Sequence, residues 1–245
     1  MPDRIAGIQP GYLAWLGYFD QMLRVDAFLV ADELPFSSSG WTHRNRVKGP
    51  AGPQWLTLPA RARRGDAISD VALDPDVPWA RKQAATLRHL YAKAPAAAPV
   101  LEAFEKRVDP LAPRLATVSL ATVRWLAHLL GVRTPLLVSS ELGLEARYRE
   151  RFPEQPGPSH RIIAYLEALG ARELVEGAAG RQYLDLPRFA SHGMRVLFQD
   201  YRHPEYPQLH GPFVSHLSAL DLVLCVGAEE ARRVLRRGSE ATHVA

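Results

Sequence analysis

The strongest constraint on this chain's fold lies between Arg4 and Asp32. The run Arg4-Ile-Ala-Gly-Ile-Gln-Pro10 is a short apolar strand stopped by a proline, and Tyr12, Trp15, Leu16, Phe19 and Leu23 follow at helical spacing. A second strand, Ala27-Phe-Leu-Val-Ala31, is apolar without alternation, as a strand covered on both faces requires. Together they make a βαβ unit of about the usual ~30 residues, whose two strands lie parallel. In open parallel sheets ligands settle in the crevice beyond the carboxyl ends of the strands. Gln9 with Pro10, and Asp32 with the segment after it, are expected on that edge.

The remainder alternates strand and helix on either side of an all-helical stretch. Residues 54–58 read as a strand paired with 44–47, across the turn Gly49-Pro-Ala-Gly-Pro53, where the prolines forbid helix. A short strand is expected over 68–73. One helix carries Trp79, Lys82, Gln83, Leu87, Leu90 and Tyr91 and ends before Pro95; two more span 100–108 and 113–130. Strands at 135–139, 173–175 and 194–198 follow, with helices at 159–169 and 186–191 between them and closing helices at 213–226 and 229–237. This pattern predicts one α/β domain over 1–245, a Rossmann-like, largely parallel sheet with a helical subdomain inserted at about 79–131 and a disordered tail over 239–245.

Composition narrows the function classes. At 245 residues and 47% hydrophobic, the chain can bury one sizeable core. The net charge of +4 rests on arginine, since Lys48, Lys82, Lys93 and Lys106 are the only lysines. It reads either as the compositional bias of a genome or as compatible with an anionic ligand, a nucleotide, an acidic carrier or RNA, although the basic runs Arg61–Arg64 and Arg232–Arg237 are too short and broken for a nucleic-acid arm. The single cysteine, Cys225, excludes an internal disulfide and reads as a small core residue of a protein in a reducing compartment. No stretch approaches the roughly 18 to 20 apolar residues of a membrane span, and no signal-peptide pattern opens the chain, so a cytoplasmic protein without membrane contact is expected. The nine histidines are scattered without zinc spacing, and neither G-x-G-x-x-G after a strand nor a Walker A sequence occurs; no metal and no tightly bound cofactor are expected.

Several constellations carry polar chemistry. The segment from Phe36 to Lys48 packs Trp41, His43, Asn45, two guanidiniums and an ammonium into one polar loop. It is either a solvated basic loop or an anion clamp, with Arg44 as a planar fork, Lys48 as a point charge and Trp41 as a stacking wall. Asp32 either caps a turn and receives Arg44, or orients and deprotonates an attacking amine. Gln9 and Asn45 are candidates to polarise an acyl oxygen, and His43 and His89 are the histidines ranked first as general bases. Gly177-Ala-Ala-Gly-Arg-Gln-Tyr183 is either an ordinary turn or a backbone anion site helped by Arg181. Tyr206, Gln208 and Asp221 are expected to converge on the same sheet edge.

The residues Gln9-Pro10-x-Tyr12-x-x-Trp15-Leu16-Gly17-Tyr18-Phe19, Asp32, Phe36, Trp41, Arg44-Asn45-Arg46-x-Lys48 and Leu56-Thr57-x-Pro59 resemble the opening signature of the WbqC-like family. The likeness continues through Trp79-x-x-Lys82, Tyr91-x-Lys93-Ala94-Pro95, Leu169-Gly170-Ala171, Gly177-x-x-Gly180-x-x-Tyr183-Leu184, Tyr206-x-Gln208 and Ser218-x-x-Asp221. It thereby adds Tyr12, Lys82, Tyr91, Gly180 and Tyr183 to the residues expected to bind substrate. The resemblance implies transfer of an acyl or aminoacyl group, glycine in particular, onto an amine in the building of surface polysaccharides or small molecules. The donor would be a carrier-protein thioester, an aminoacyl-tRNA or a nucleotide adduct, and the acceptor a small-molecule amine. A nucleotidyltransferase-like enzyme and a non-catalytic carrier-binding partner are the rival classes. The chain departs from the family at Gln83, where a histidine is common, so no base is carried over to that position.

Overall fold

A computed structural model describes residues 2–109 and 111–245. The opening unit is present as expected: β1 (Arg4–Ile8) and β2 (Ala27–Val30) run parallel, joined by α1 (Leu16–Met22). Period-two alternation sends Ala6, Phe28 and Val30 into the main core and Ile5, Ala27 and Leu29 into smaller clusters on the opposite face. That two-sided burial is what the unbroken apolar run of β2 encodes.

The chain then leaves the sheet. It forms the antiparallel hairpin β3 (Arg44–Gly49) and β4 (Gly52–Thr57), a small ladder of β5 (Ala60–Arg61) with β6 (Ala72–Leu73), and helices α2 (Trp79–Leu90), α3 (Ala97–Arg107) and α4 (Leu115–Leu129). It returns beside β2 as β7 (Leu136–Val138). The short helices α5 (Ser139–Leu142) and α6 (Leu144–Arg151) and the longer α7 (Pro158–Leu169) carry it across to β8 (Glu173–Gly177), on the far side of β1. After α8 (Leu186–Ser191), β9 (Arg195–Asp200) pairs with β8, and α9 (Ala219–Ala241) leads to β10 (His243–Val244). The sheet order is β10-β9-β8-β1-β2-β7, with β10 antiparallel and the rest parallel. The protein is therefore α/β with a mostly parallel central sheet, its helical segment inserted in the crossover from β2 to β7.

Local differences from the sequence pattern have tertiary causes. The first helix starts at Leu16 rather than Tyr12 because three distant elements pin the backbone ahead of it: Tyr12 donates to the Thr42 carbonyl, Leu13 N–H to Thr122 Oγ1, and Asn45 Nδ2 to the Leu13 carbonyl. Leu13 is held at φ 48° there. The last helix begins only at Ala219, where Ser218 Oγ accepts from Leu220 N–H, and the expected break between two helical segments falls at Gly227, whose φ of 78° and ψ of 164° are non-helical. Residues 239–245, expected as a loose tail, finish α9 and pair His243 with Asp200 and Val244 with Gln199. Residues 68–70 form a 3-10 turn, and only 72–73 pair as strand.

One buried polar network ties the insert to the rest. Lys48 Nζ donates to the carbonyls of Gly211 at 2.9 Å and Pro212 at 2.5 Å, while its backbone N–H donates to Tyr91 Oη at 3.0 Å. Tyr91 in turn donates to one oxygen of the fully buried Asp221 and Tyr206 to the other. Burial pushes the Asp221 carboxyl above its usual range, and the two phenols and the Lys48 charge pull it back. Lys48→Met removes that charge and strands two carbonyls. It is expected to cost about 3 kcal/mol of unfolding free energy, read from urea transitions with unchanged slope.

Candidate functional site

The sheet order reverses beside β1: β2 lies on one side and β8, reached much later, on the other. Such switch points are where parallel sheets open a crevice. Here the opening is visible in the ladder. β1 and β2 pair through Ile8 with Val30, and β8 and β9 through Gly177 with Gln199, but β1 and β8 pair only at Arg4 with Glu173 and Ile5 with Leu174. Beyond those pairs the two strands part. Gln21, on α1, fills the start of the gap, its Nε2 donating to the Val175 carbonyl at 3.2 Å. Above it lies a cavity of about 550 Å³, within the usual range for small-molecule sites. Its walls include Ile8 and Gln9 from the end of β1, Glu176 and Gly177 from the end of β8, and Gln199 from β9.

Glu176 is the carboxylate that stands out. Burial raises its pKa from the ordinary 4.5 to about 7, against the lowering effects of the Gly177 N–H and the Tyr183 hydroxyl. No cation pairs with it among the described residues. Gly177 N–H donates to its Oε1 at 2.9 Å, so of the two readings of the glycine turn, ordinary turn or anion site, the backbone N–H at Gly177 is taken by the chain's own carboxylate. A Cβ at Gly180 would sit 2.3 Å from Glu176 Cγ, so the second glycine leaves room for this side chain. Burial, and after it the same carboxylate, push the Tyr183 hydroxyl up to about 12.

The other polar groups of the cavity are mostly committed. Arg161 is held by Glu145, Nε to Oε2 at 3.0 Å, and Tyr165 donates to the same oxygen at 2.9 Å. Gln199 Nε2 donates to Asp20, whose carboxylate also takes Arg24 in a two-pronged pair. Gln21 is the exception. Its Nε2 must face the Val175 carbonyl, which leaves the buried Oε1 without a partner. The cavity thus offers one titratable carboxyl, carboxamides and phenols, but no free cation among its described residues.

A comparison with protein-family models matches residues 9–233 to the WbqC-like protein family. The chain belongs to the WbqC-like protein family. Uncharacterized protein Rv1507c of Mycobacterium tuberculosis (strain ATCC 25618 / H37Rv) is 30% identical over 231 residues, covering 92% of this chain and 95% of that one.

The WbqC-like signature residues fall into separate places. Gln9, Gly177 and Tyr183 line the cavity, with Gly180 behind Glu176. Lys48, Tyr91, Tyr206 and Asp221 form the buried network described above, and Gln208 clasps the N–H and carbonyl of Val214. Asp32 is buried and accepts from Ser139 Oγ, Ser140 N–H and Ser140 Oγ at 2.7 to 3.0 Å, which bolts β2 to the start of α5. It borders a smaller hollow, of about 250 Å³, with Pro10 and Arg114. Asn45 spends its amide on Leu13 and its carbonyl on Arg46 N–H. Arg44 donates to the carbonyls of Ser39 and Gly40, beside an exposed Trp41. His43 is buried against Phe36, its pKa held down by burial and by Arg44; His89 and Lys82 are exposed on α2.

Tyr12 donates to Gln83 Oε1 at 2.5 Å, and Gln83 Nε2 donates to the Thr57 carbonyl at 3.0 Å. A neutral imidazole offers the same one donor and one acceptor, so a histidine at this position would make the same bridge. Glu176, by contrast, carries no mark in the sequence reading. The available signal was a carboxylate at a strand end immediately before a glycine.

The raised pKa has a stability consequence. Between pH 4.5 and about 7 the folded chain keeps a proton at Glu176 that the unfolded chain has shed, so stability falls as pH rises through that window and levels off above it. Glu176→Gln is expected to flatten this fall, gaining on the order of 3 kcal/mol over the parent above pH 7 and little below pH 4.5. Urea titrations of both proteins across pH measure it.

Proposed function

We propose that this protein transfers an acyl or aminoacyl group from an activated donor to an amine held in the cavity between β1 and β8, with Glu176 as the base. The observation that carries the reading is the unpaired Glu176 carboxyl, poised near neutrality inside a cavity that has no free cation to bind an anion. Such a site suits a substrate that arrives as an amine. The class of reaction comes from what the family resemblance implies. The base assignment moves from Asp32 to Glu176 because the Asp32 oxygens already accept three hydrogen bonds.

In this scheme the amine nitrogen attacks the acyl carbon of an ester or thioester and passes a proton to Glu176 as the C–N bond forms. The acyl C–O or C–S bond breaks, and the departing oxygen or sulfur takes the proton back. Gln9, which lines the cavity, is the group that would donate to the developing oxyanion in this scheme; Asn45, already bonded on both sides of its amide, is not available. The switch point beside β1 supports reading the sheet as Rossmann-like, and the lone buried Cys225 supports a reducing, cytoplasmic setting.

The test is mass spectrometry of products from carrier-bound thioesters and aminoacyl-tRNAs offered with amino-sugar acceptors. A product heavier by one acyl group is expected, with kcat/KM rising to a plateau above about pH 7. Glu176→Gln should lower kcat by roughly 100-fold or more, and Gly180→Ala should lower it by pushing the carboxylate aside. Full activity in Glu176→Gln would sink the base assignment.

A further inference from the structure

The outer face of the β3–β4 hairpin carries two large exposed indoles, Trp41 at 49% and Trp55 at 45%. Their rings lie 5.1 Å apart, tilted by 43°. Arg44 sits 4.5 Å over the Trp55 ring, and Arg46 lies 5.3 Å from Trp41 and 5.7 Å from Trp55. Strand pairing sets Arg44, Arg46 and Trp55 on one side, because Arg46 is opposite Trp55 and Arg44 opposite Thr57, and Trp41, just ahead of β3, packs against them there. Lys48 lies on the same side, but the segment at Gly211 and Pro212 covers it, and the cover stops short of the tryptophans.

The charge on this face is unanswered. No carboxylate pairs with Arg44 or Arg46 among the described residues, whereas Arg161, Arg24, Arg88 and Arg195 are each matched to an acid. Arg46 Nε is buried without an acceptor. Arg44 is already anchored on two carbonyls, which fixes its guanidinium 4.5 Å from the centre of the Trp55 ring. Planar cations stacked on exposed indoles favour a partner that is itself planar, aromatic and anionic. An unpaired nucleotide meets all three conditions, its base on the rings and its phosphate at the guanidiniums. An acidic protein helix meets the charge but presents no flat ring of its own to stack on the indoles unless it carries aromatic side chains.

The hairpin also leads to the cavity. Ser218 N–H donates to the Arg46 carbonyl at 2.8 Å, Ser218 bridges to Trp15, and His216 stacks on the Trp15 ring at 5.1 Å. Trp15 itself lines the cavity. The hairpin is thus joined through Ser218 and Trp15 to one wall of the cavity.

We propose that the Trp41–Trp55 face docks the single-stranded end of an RNA that brings the activated group to the cavity. Its bearing on the donor rests on the transfer reading above, while the docking itself is measurable without any reaction. The test is fluorescence anisotropy with a short end-labelled single-stranded RNA, the same RNA in a duplex, and an acidic carrier protein as competitor. Binding of the single strand is expected, with log affinity falling against log salt at a slope of about −1.4 for two phosphates. Trp41→Ala and Trp55→Ala should each weaken it roughly 5-fold or more, Trp41→Phe should retain it, and Arg46→Gln should lower the salt slope. Circular dichroism verifies that each variant is folded.

Affinity unchanged by the tryptophan variants, preference for the duplex, tryptophan-dependent binding of the carrier instead, or no binding at low salt would each overturn the inference. Glu176→Gln should bind the RNA as the parent does. Loss of transfer with intact docking falls on the chemistry, whereas transfer from a thioester without RNA docking removes the platform alone.

Discussion

The separation of β1 from β8 is the constraint on which the candidate site depends. Two parallel strands that stay paired would seal the sheet edge; these two pair at Ile5 and Leu174 and then diverge. A split sheet leaves backbone groups exposed in a dry interior, and such groups cost free energy unless something bonds to them. Gln21 answers the Val175 carbonyl with a side-chain amide, so α1 holds the gap open as well as packing against it. The cavity, the burial of Glu176 and the shift of its proton affinity all follow from that one opening.

Polar groups elsewhere serve to hold elements in place. Asp32 fastens β2 to α5, Asn45 fastens the hairpin to the turn before α1, and Lys48 with Asp221 fastens the segment before α9 across the helical insert. A buried charge that satisfies several partners has little left to offer a substrate. Glu176, which accepts the Gly177 N–H and meets no cation among the described residues, and Arg44 and Arg46, which meet no carboxylate there, are the less committed charges. The division separates a site suited to an amine from a surface suited to an anion.

Much of the architecture was legible in the residues. The unbroken apolar run 27–30, the helical stripe from Trp79 to Leu90, the Leu186–Ser191 helix and the pairing of 44–47 with 54–57 all appear where local periodicity places them. Gln9 and the Gly177 turn reach the crevice because strand ends in a parallel sheet share an edge. Asp32 ends a strand just as Glu176 does, and periodicity cannot tell the two apart. What distinguishes them is that Ser139 and Ser140 arrive beside one, and that β1 withdraws from beside the other.

The amino-acid order alone thus determined the class of layers, the parallel opening unit, the inserted helices and the edge where chemistry could sit, since these depend on side-chain period and on chain punctuation within a few residues. Only the tertiary structure decided which polar groups on that edge are spent and which are free. Hydrogen-bond satisfaction and desolvation arise from neighbours more than a hundred residues away, as Gln21 with Val175 and Asp32 with Ser139 illustrate, and no local pattern in the sequence records them.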